Sequence, residues 1–326
     1  MSKIRVGMIG CDLHGLYYGV QMCEHDPAVL RRHGRGQAAF FYHYTHYNDA
    51  GVLTSPAVRE FDIVRCWDPD PEAARVMAEV FGAEVCVSAD ECSEGVDLVF
   101  IPDCNGDGST HLELATPGLM RGVPTFVDKP LAYTYADAKA ILDLGEAHGA
   151  PVMSISILRA VPQGRHFHDR LQEVWPVGFG SIKGGGTAMA GHIHAISLAQ
   201  SVFGAGVQSV QAMGPNELSF LHLGYDGSDD RPSHGVMLNC DTGPTWHCSF
   251  FCSAYGAQGA IHSDRIGDFE FPWGSAEVLR RIVTMVRTGE ATEPRDEMLE
   301  SIAVADAGRR SQAEGRAVRL EQVTGA

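Results

Sequence analysis

The hexapeptide Phe126-Val127-Asp128-Lys129-Pro130-Leu131 sets an acid and a base side by side at the end of an apolar run. Lysine carries charge and can take up or release a proton, and proline disfavours the helical region for the residue before it, so Lys129 is expected to stand extended at a strand end. In an open parallel sheet, ligands bind beyond the carboxyl ends of the strands. Lys129 is therefore a candidate acid–base group, with a plain surface Lys-Pro turn as the competing reading. His194 is a second candidate, on an apolar helical stretch where a satisfied core histidine is the alternative. Arg159 could clamp a substrate through its fork of donors, and His192 lies two residues before His194.

The stretches upstream offer what a dinucleotide needs. Ile4 to Ile9 is a short branched apolar run, the mark of a strand buried on both faces, and Gly10-Cys11-Asp12-Leu13-His14-Gly15 leads from it into a helical stretch. A helix N-terminus presents unpaired N–H groups and a positive dipole end to an anion. The dinucleotide pattern G-x-G-x-x-G is broken at its second glycine, where Asp12 stands. A carboxylate there repels phosphate unless it turns away to cap the helix. Ile63 to Trp67 reads as the next strand, ending at Asp68-Pro69-Asp70. An acid at that tip can accept both hydroxyls of an adenosine ribose and would repel a 2'-phosphate, which favours NAD over NADP; a helix cap is the other use for either aspartate.

At 326 residues with 44% hydrophobic and 20% charged side chains, the chain can bury two cores. Its formal charge of -16 argues against nucleic acid as a partner. No apolar stretch reads as a membrane span, and the opening Met1-Ser2-Lys3-Ile4 runs straight into a strand without the features of a secretory signal. Nine cysteines without C-x-x-C pairing read as reduced thiols, hence a cytoplasmic protein.

Strand-like and helical stretches alternate from Ile4 to Leu158, the signature of a doubly wound α/β sheet. Residues 24–61 break that rhythm and read as an insertion; His43 and His46 within it could share a helix face and hold a metal, although aromatic-rich insertions more often cover a core or a partner. Beyond Arg159, strand-like runs separated by turns point to an α+β domain with a large, mostly antiparallel sheet. The expected division is residues 1–130 for a dinucleotide-binding domain of Rossmann type and residues 131–326 for a substrate-binding and oligomerisation domain. An open sheet face needs covering, so a homodimer or homotetramer is expected.

Val6-Gly7-Met8-Ile9-Gly10, Trp67-Asp68-Pro69-Asp70, Val96 to Pro102 and Val127-Asp128-Lys129-Pro130-Leu131, in that order, resemble the Gfo/Idh/MocA family, the oxidoreductases related to glucose-fructose oxidoreductase and inositol dehydrogenase. Gly185-Gly186-Thr187 to Gly204 resembles its central helix motif, and Ser311 to Leu320 its ending. The resemblance implies NAD(P) in the Rossmann domain, contacted from Gly10, Asp12, Leu13, His14, Asp68, Pro102, Asp128 and Lys129, and a sugar, sugar glycoside or cyclitol substrate met by Arg159, His192 and His194. It implies Lys129 for the lysine of E-K-P and His194 for the histidine of D-x-x-x-H-x-x-D. Ala190 and Ser197 stand where that motif has its acids, so either His194 and Lys129 suffice, or His192, Asp103, Asp107 or Asp128 supplies the missing group, or the activity has changed. The leading expectation is an NAD-dependent dehydrogenase of a secondary alcohol, with no dedicated metal site. The alternatives are a lyase, hydrolase or isomerase without net redox, assisted by NAD or by a metal on histidines such as His222, His234, His247 or His262, and a non-catalytic dinucleotide or sugar sensor.

Overall fold

The computed structural model describes residues 2–45, 57–227, 230–241, 243, 248–268 and 270–325. His46 and His247 lie outside the described residues. The chain forms two compact units, the first of residues 1–131, 139–155 and 275–293 and the second of residues 132–138, 156–274 and 294–326.

The first unit holds a six-stranded sheet of β1 (Ile4–Ile9), β2 (Phe61–Trp67), β3 (Glu84–Val85), β4 (Leu98–Ile101), β5 (Thr125–Val127) and β6 (Val152–Met153), in the order β3-β2-β1-β4-β5-β6. Every pairing is parallel. Its helices include α1 (Leu13–Met22), α2 (Pro27–Arg32), α3 (Gln37–Phe40), α4 (Pro71–Phe81), α5 (Ala89–Cys92) and α6 (His111–Met120). Helices on a parallel sheet leave its central strands dry on both faces, and β4 and β5 are accordingly buried at every residue. The strand order reverses between β1 and β4, so the segments leaving β1, β4 and β5 emerge together at one edge of the sheet.

Residues 139–155 stay with the first unit because β6 hydrogen-bonds to β5, so the chain does not divide at a single point near residue 130. Both α7 (Tyr135–His148) and the later α10 (Phe271–Thr288) run across the division. The described part of residues 24–61 is built from α2, α3 and a short π-helical turn at Phe41–Thr45 before β2 begins.

The second unit contains α8 (Pro162–Arg170), α9 (Met189–Phe203), α11 (Arg295–Glu314) and α12 (Glu321–Thr324). Its strands are β7 (Val177–Lys183), β8 (Ser209–Met213), β9 (Phe220–Gly224), β10 (Val236–Asn239), β11 (Ser249–Gly256), β12 (Gly259–His262), β13 (Ile266–Gly267) and β14 (Val318–Arg319). They form the order β12-β11-β7-β10-β9-β8-β14, with β13 on β11; all pairings are antiparallel except β7 with β10. Burial alternates along β9 and β10, as a sheet packed on one face requires, and α9 and α11 pack on that face. The expected α/β domain and mostly antiparallel α+β domain are both present.

Close packing of β1 makes one position intolerant of a side chain. A Cβ on Gly7 would lie 2.2 Å from the backbone oxygen of Cys92 in α5, whereas Gly34 has nothing within 4 Å. Gly7→Ala should therefore lower unfolding stability by about 2 kcal/mol or more, because backbone rather than a mobile side chain must move, and Gly34→Ala should be nearly neutral. Urea unfolding of both variants tests this; equal midpoints would contradict it.

Candidate active site

The turn after β1 is built by glycine where glycine is needed. Gly10 has φ +112°, and a Cβ there would lie 2.8 Å from the oxygen of Pro102, at the end of β4. A Cβ on Gly15 would lie 2.8 Å from the oxygen of Gly10, so this glycine lets α1 pack against the turn. Asp12 takes up the turn's donors: its Oδ1 accepts the N–H groups of His14 at 2.8 Å and Gly15 at 3.1 Å, and its Oδ2 accepts that of Cys104 at 2.5 Å. The Asp12 carboxylate thus caps the helix that begins at Leu13. At the end of β2 the two aspartates divide their work. Asp70 caps α4 through the N–H of Glu72, and Asp68 faces the first turn, accepting the N–H of Cys11 at 2.7 Å.

The expected acid–base group follows β5. Asp128 and Lys129 are 1% and 3% exposed, and the Lys129–Pro130 bond is cis. Asp128 continues the β4–β5 pairing through its N–H to the oxygen of Ile101. Its Oδ1 accepts the N–H of Lys129 at 2.8 Å; its Oδ2 accepts that of Asp103 at 3.2 Å and lies 2.5 Å from Nδ1 of His14. Nζ of Lys129 donates to the oxygen of Cys104 at 2.8 Å. Gly10, Asp12, Leu13, His14, Pro102, Asp128 and Lys129 thus converge on one edge of the sheet, and Asp68 reaches the same turn.

Burial alone would lower His14, but the adjacent Asp128 carboxylate outweighs it and raises the imidazole from 6.5 to about 10. Burial would raise Asp128, but the charge and hydrogen bond of His14, with a further contribution from Lys129, bring it from 3.8 to about 2. The two are an ion pair at neutral pH.

Cys104 and His111 are members of this cluster that the sequence reading did not single out. His111, 1% exposed at the first position of α6, has Nδ1 2.9 Å from the oxygen of Pro130 and Nε2 3.1 Å from Oδ2 of Asp103. It ties the loop after β4 to the turn after Lys129. A histidine opening the helix after β4 was the available signal. Asp103, one possible source of a missing carboxylate, is committed to His111 and to the N–H of Gly106, and Asp107 accepts the N–H of Ser109.

In the second unit, Nδ1 of His194 on α9 lies 2.7 Å from the hydroxyl of Ser156, and its ring meets Phe250 edge-on at 6.1 Å. A serine hydroxyl thus contacts the histidine whose sequence neighbourhood lacks the expected acids. His192 is fully buried, and burial holds its imidazole down at about 4, so it is neutral. The Arg159 guanidinium is bound by Glu297 and Gln200, and its donor fork is directed within the unit. Among the described residues no three of His, Cys, Asp and Glu are grouped as a metal ion requires; His43 instead places Nε2 3.0 Å from the oxygen of Tyr17.

Residues 4–156 match the model of the Gfo/Idh/MocA family, described as an oxidoreductase family with an NAD-binding Rossmann fold. The chain is 28% identical over 107 residues to the inositol 2-dehydrogenase of Ralstonia nicotianae, and this match spans 31% of each protein. Its fold is similar to that of apo scyllo-inositol dehydrogenase from Lactobacillus casei, with a TM-score of 0.73 at 12% identity over 98% of both chains. It is also similar to an oxidoreductase from Agrobacterium radiobacter in complex with NAD+, L-tartaric acid and magnesium, with a TM-score of 0.70 at 14% identity over 98% of this chain and 99% of the other. Within the Gfo/Idh/MocA pattern, Gly10 and Gly15 meet the steric demands of the first and third glycines of the dinucleotide turn, and Asp68 meets that of the acid beyond the second strand. The residues present fit a dinucleotide, with Asp12 the one departure inside the turn.

The ion pair gives stability a defined pH window. His14, raised above its ordinary 6.5, contributes fully below that value and loses its contribution as pH rises through about 10; Asp128, held down, contributes above 3.8 and loses it as pH falls through about 2. The His14 ring is 24% exposed and partly screened, so His14→Gln should cost about 2 kcal/mol near pH 5. The cost should shrink as pH approaches 10. Urea unfolding of both proteins across this range tests it; a pH-independent difference would contradict the pairing.

Proposed function

We propose that this chain is an NAD-dependent oxidoreductase acting on a secondary alcohol of a sugar, sugar glycoside or cyclitol. The observation that carries the reading is the buried Lys129, fixed beside Asp128 at the carboxyl edge of a parallel sheet and next to a glycine turn that fits a dinucleotide. Gly10 and Gly15 would let the backbone approach the cofactor, and Asp68 would receive the adenosine ribose hydroxyls and disfavour a 2'-phosphate. When bound, NAD supplies the hydride acceptor.

An alcohol that gives up hydride must also lose its hydroxyl proton, which requires a base within hydrogen-bond reach. Lys129 is the residue proposed for that proton. Its backbone N–H is held by Asp128 and its amine by the oxygen of Cys104, so the side chain is positioned before any substrate arrives. Asp128, already paired with His14, serves to position Lys129 and not to move the proton. His194 is proposed as a second group able to exchange a proton, oriented by Ser156. His192 is too deeply buried to meet a substrate directly, and Arg159 is a substrate contact only if it leaves Glu297.

Cyclitols are the first substrates to test, because the relative from Ralstonia nicotianae is an inositol 2-dehydrogenase. For assembly, a homodimer or homotetramer is proposed, supported by exposed Phe251 and Tyr255 on one face of β11. The composition supports a cytoplasmic location.

Purified protein with NAD and a panel of inositols and sugars should generate the ultraviolet absorbance of reduced nicotinamide. Lys129→Met should lower kcat by about a hundredfold or more while NAD still binds, as loss of a positioned proton acceptor requires. No reduction across the panel with NAD shown to bind, or full activity in the variant, would overturn the reading.

A further inference from the structure

The dinucleotide turn carries its own anion. The Asp12 carboxylate lies against the N–H groups of His14, Gly15 and Cys104 at 2.8, 3.1 and 2.5 Å, drawn from the first turn of α1 and the loop after β4. The neighbouring donors are used as well: Cys11 N–H binds Asp68, and Leu16 N–H binds the oxygen of Asp12. These are the donors and the positive helix end that a Rossmann turn offers to a pyrophosphate. The steric preparation of the turn is nonetheless complete, since Gly10 and Gly15 occupy positions where a Cβ would meet backbone at 2.8 Å.

We infer that Asp12 is an internal competitor for the pyrophosphate, an affinity-determining residue whose carboxylate must leave the helix N-terminus for the dinucleotide to bind. The inference rests on the dinucleotide reading of this turn. A ligand seated there gives up nothing in shape, but it meets a fixed negative charge and donors already engaged. It must rotate the Asp12 side chain away, at the expense of the cap. The cost falls on the phosphates alone, because the acid proposed to receive the adenosine ribose is Asp68, not Asp12. The consequence is a dinucleotide held more weakly and released more readily than the fit of the glycines alone would give.

Two variants separate charge from capping. Asp12→Asn keeps an acceptor for the N–H groups of His14 and Gly15 and removes the charge; Asp12→Gly removes both. Calorimetric titration of the full chain and of each variant with ADP-ribose and with adenosine reads the effect without turnover, and circular dichroism melting confirms that each protein is folded. Removing a like charge a few ångströms from a phosphate should tighten ADP-ribose binding roughly tenfold in the Asn variant, and at least as much in Gly if that protein is folded. Adenosine affinity should stay within about twofold, as no phosphate is involved. ADP-ribose binding that is unchanged or weaker in Asp12→Asn, with the wild type binding it, overturns the inference and leaves the dinucleotide reading standing. Failure of every protein to bind either compound overturns the dinucleotide reading, and the inference with it.

Discussion

The arrangement at the sheet edge depends on one buried carboxylate. Asp128 is 1% exposed, and an ionised carboxylate so placed is tolerated only when its oxygens are fully engaged. They accept from the backbone of Lys129 and Asp103 and from the ring of His14. Three segments that are distant in sequence, the start of α1, the loop after β4 and the end of β5, are thereby pinned to one atom group. Lys129 is positioned as a consequence, since its own amide is one of the donors. A carboxylate that spends its lone pairs in this way is poorly suited to take a substrate proton as well. The acid–base burden therefore shifts to the residue it holds.

That same carboxylate explains why a histidine occupies position 14. Asp12 and Asp128 bring two negative charges to one helix N-terminus, and the helix dipole offsets part of this. The His14 imidazolium, paired with Asp128, offsets much of the rest. The field of Asp128 secures this by keeping His14 protonated well past neutrality. Without that proton the cluster would carry a surplus negative charge where the fold presents its anion-receiving donors.

Much of this was legible in the sequence because it is written locally. The alternation of strands and helices follows from runs such as residues 6–9 and Leu98–Ile101, whose burial on both faces leaves no choice but apolar residues. Gly10 and Lys129 were legible because a turn and a strand end each constrain residue type. Partnerships between distant segments were not. Nothing near position 14 announces Asp128, which is 114 residues away, and nothing near His194 announces Ser156. Asp68 and Asp70 were equivalent as a sequence, and only geometry shows that Asp70 caps α4 while Asp68 reaches the glycine turn. Helix α10 is written locally as well, since Leu279, Ile282 and Val283 carry a helical period.

The two departures from the Gfo/Idh/MocA pattern are unlike in kind. At position 12 a residue is gained, and its carboxylate takes over backbone donors that the pattern leaves open. At positions 190 and 197 acids are lost, and the hydroxyl of Ser156 contacts the histidine between them. A carboxylate beside an imidazole stabilises its protonated form, whereas a hydroxyl can donate or accept and favours neither form strongly. His14, by contrast, is locked into one state by Asp128. A histidine whose charge the fold fixes in this way is poorly suited to a turnover that moves a proton.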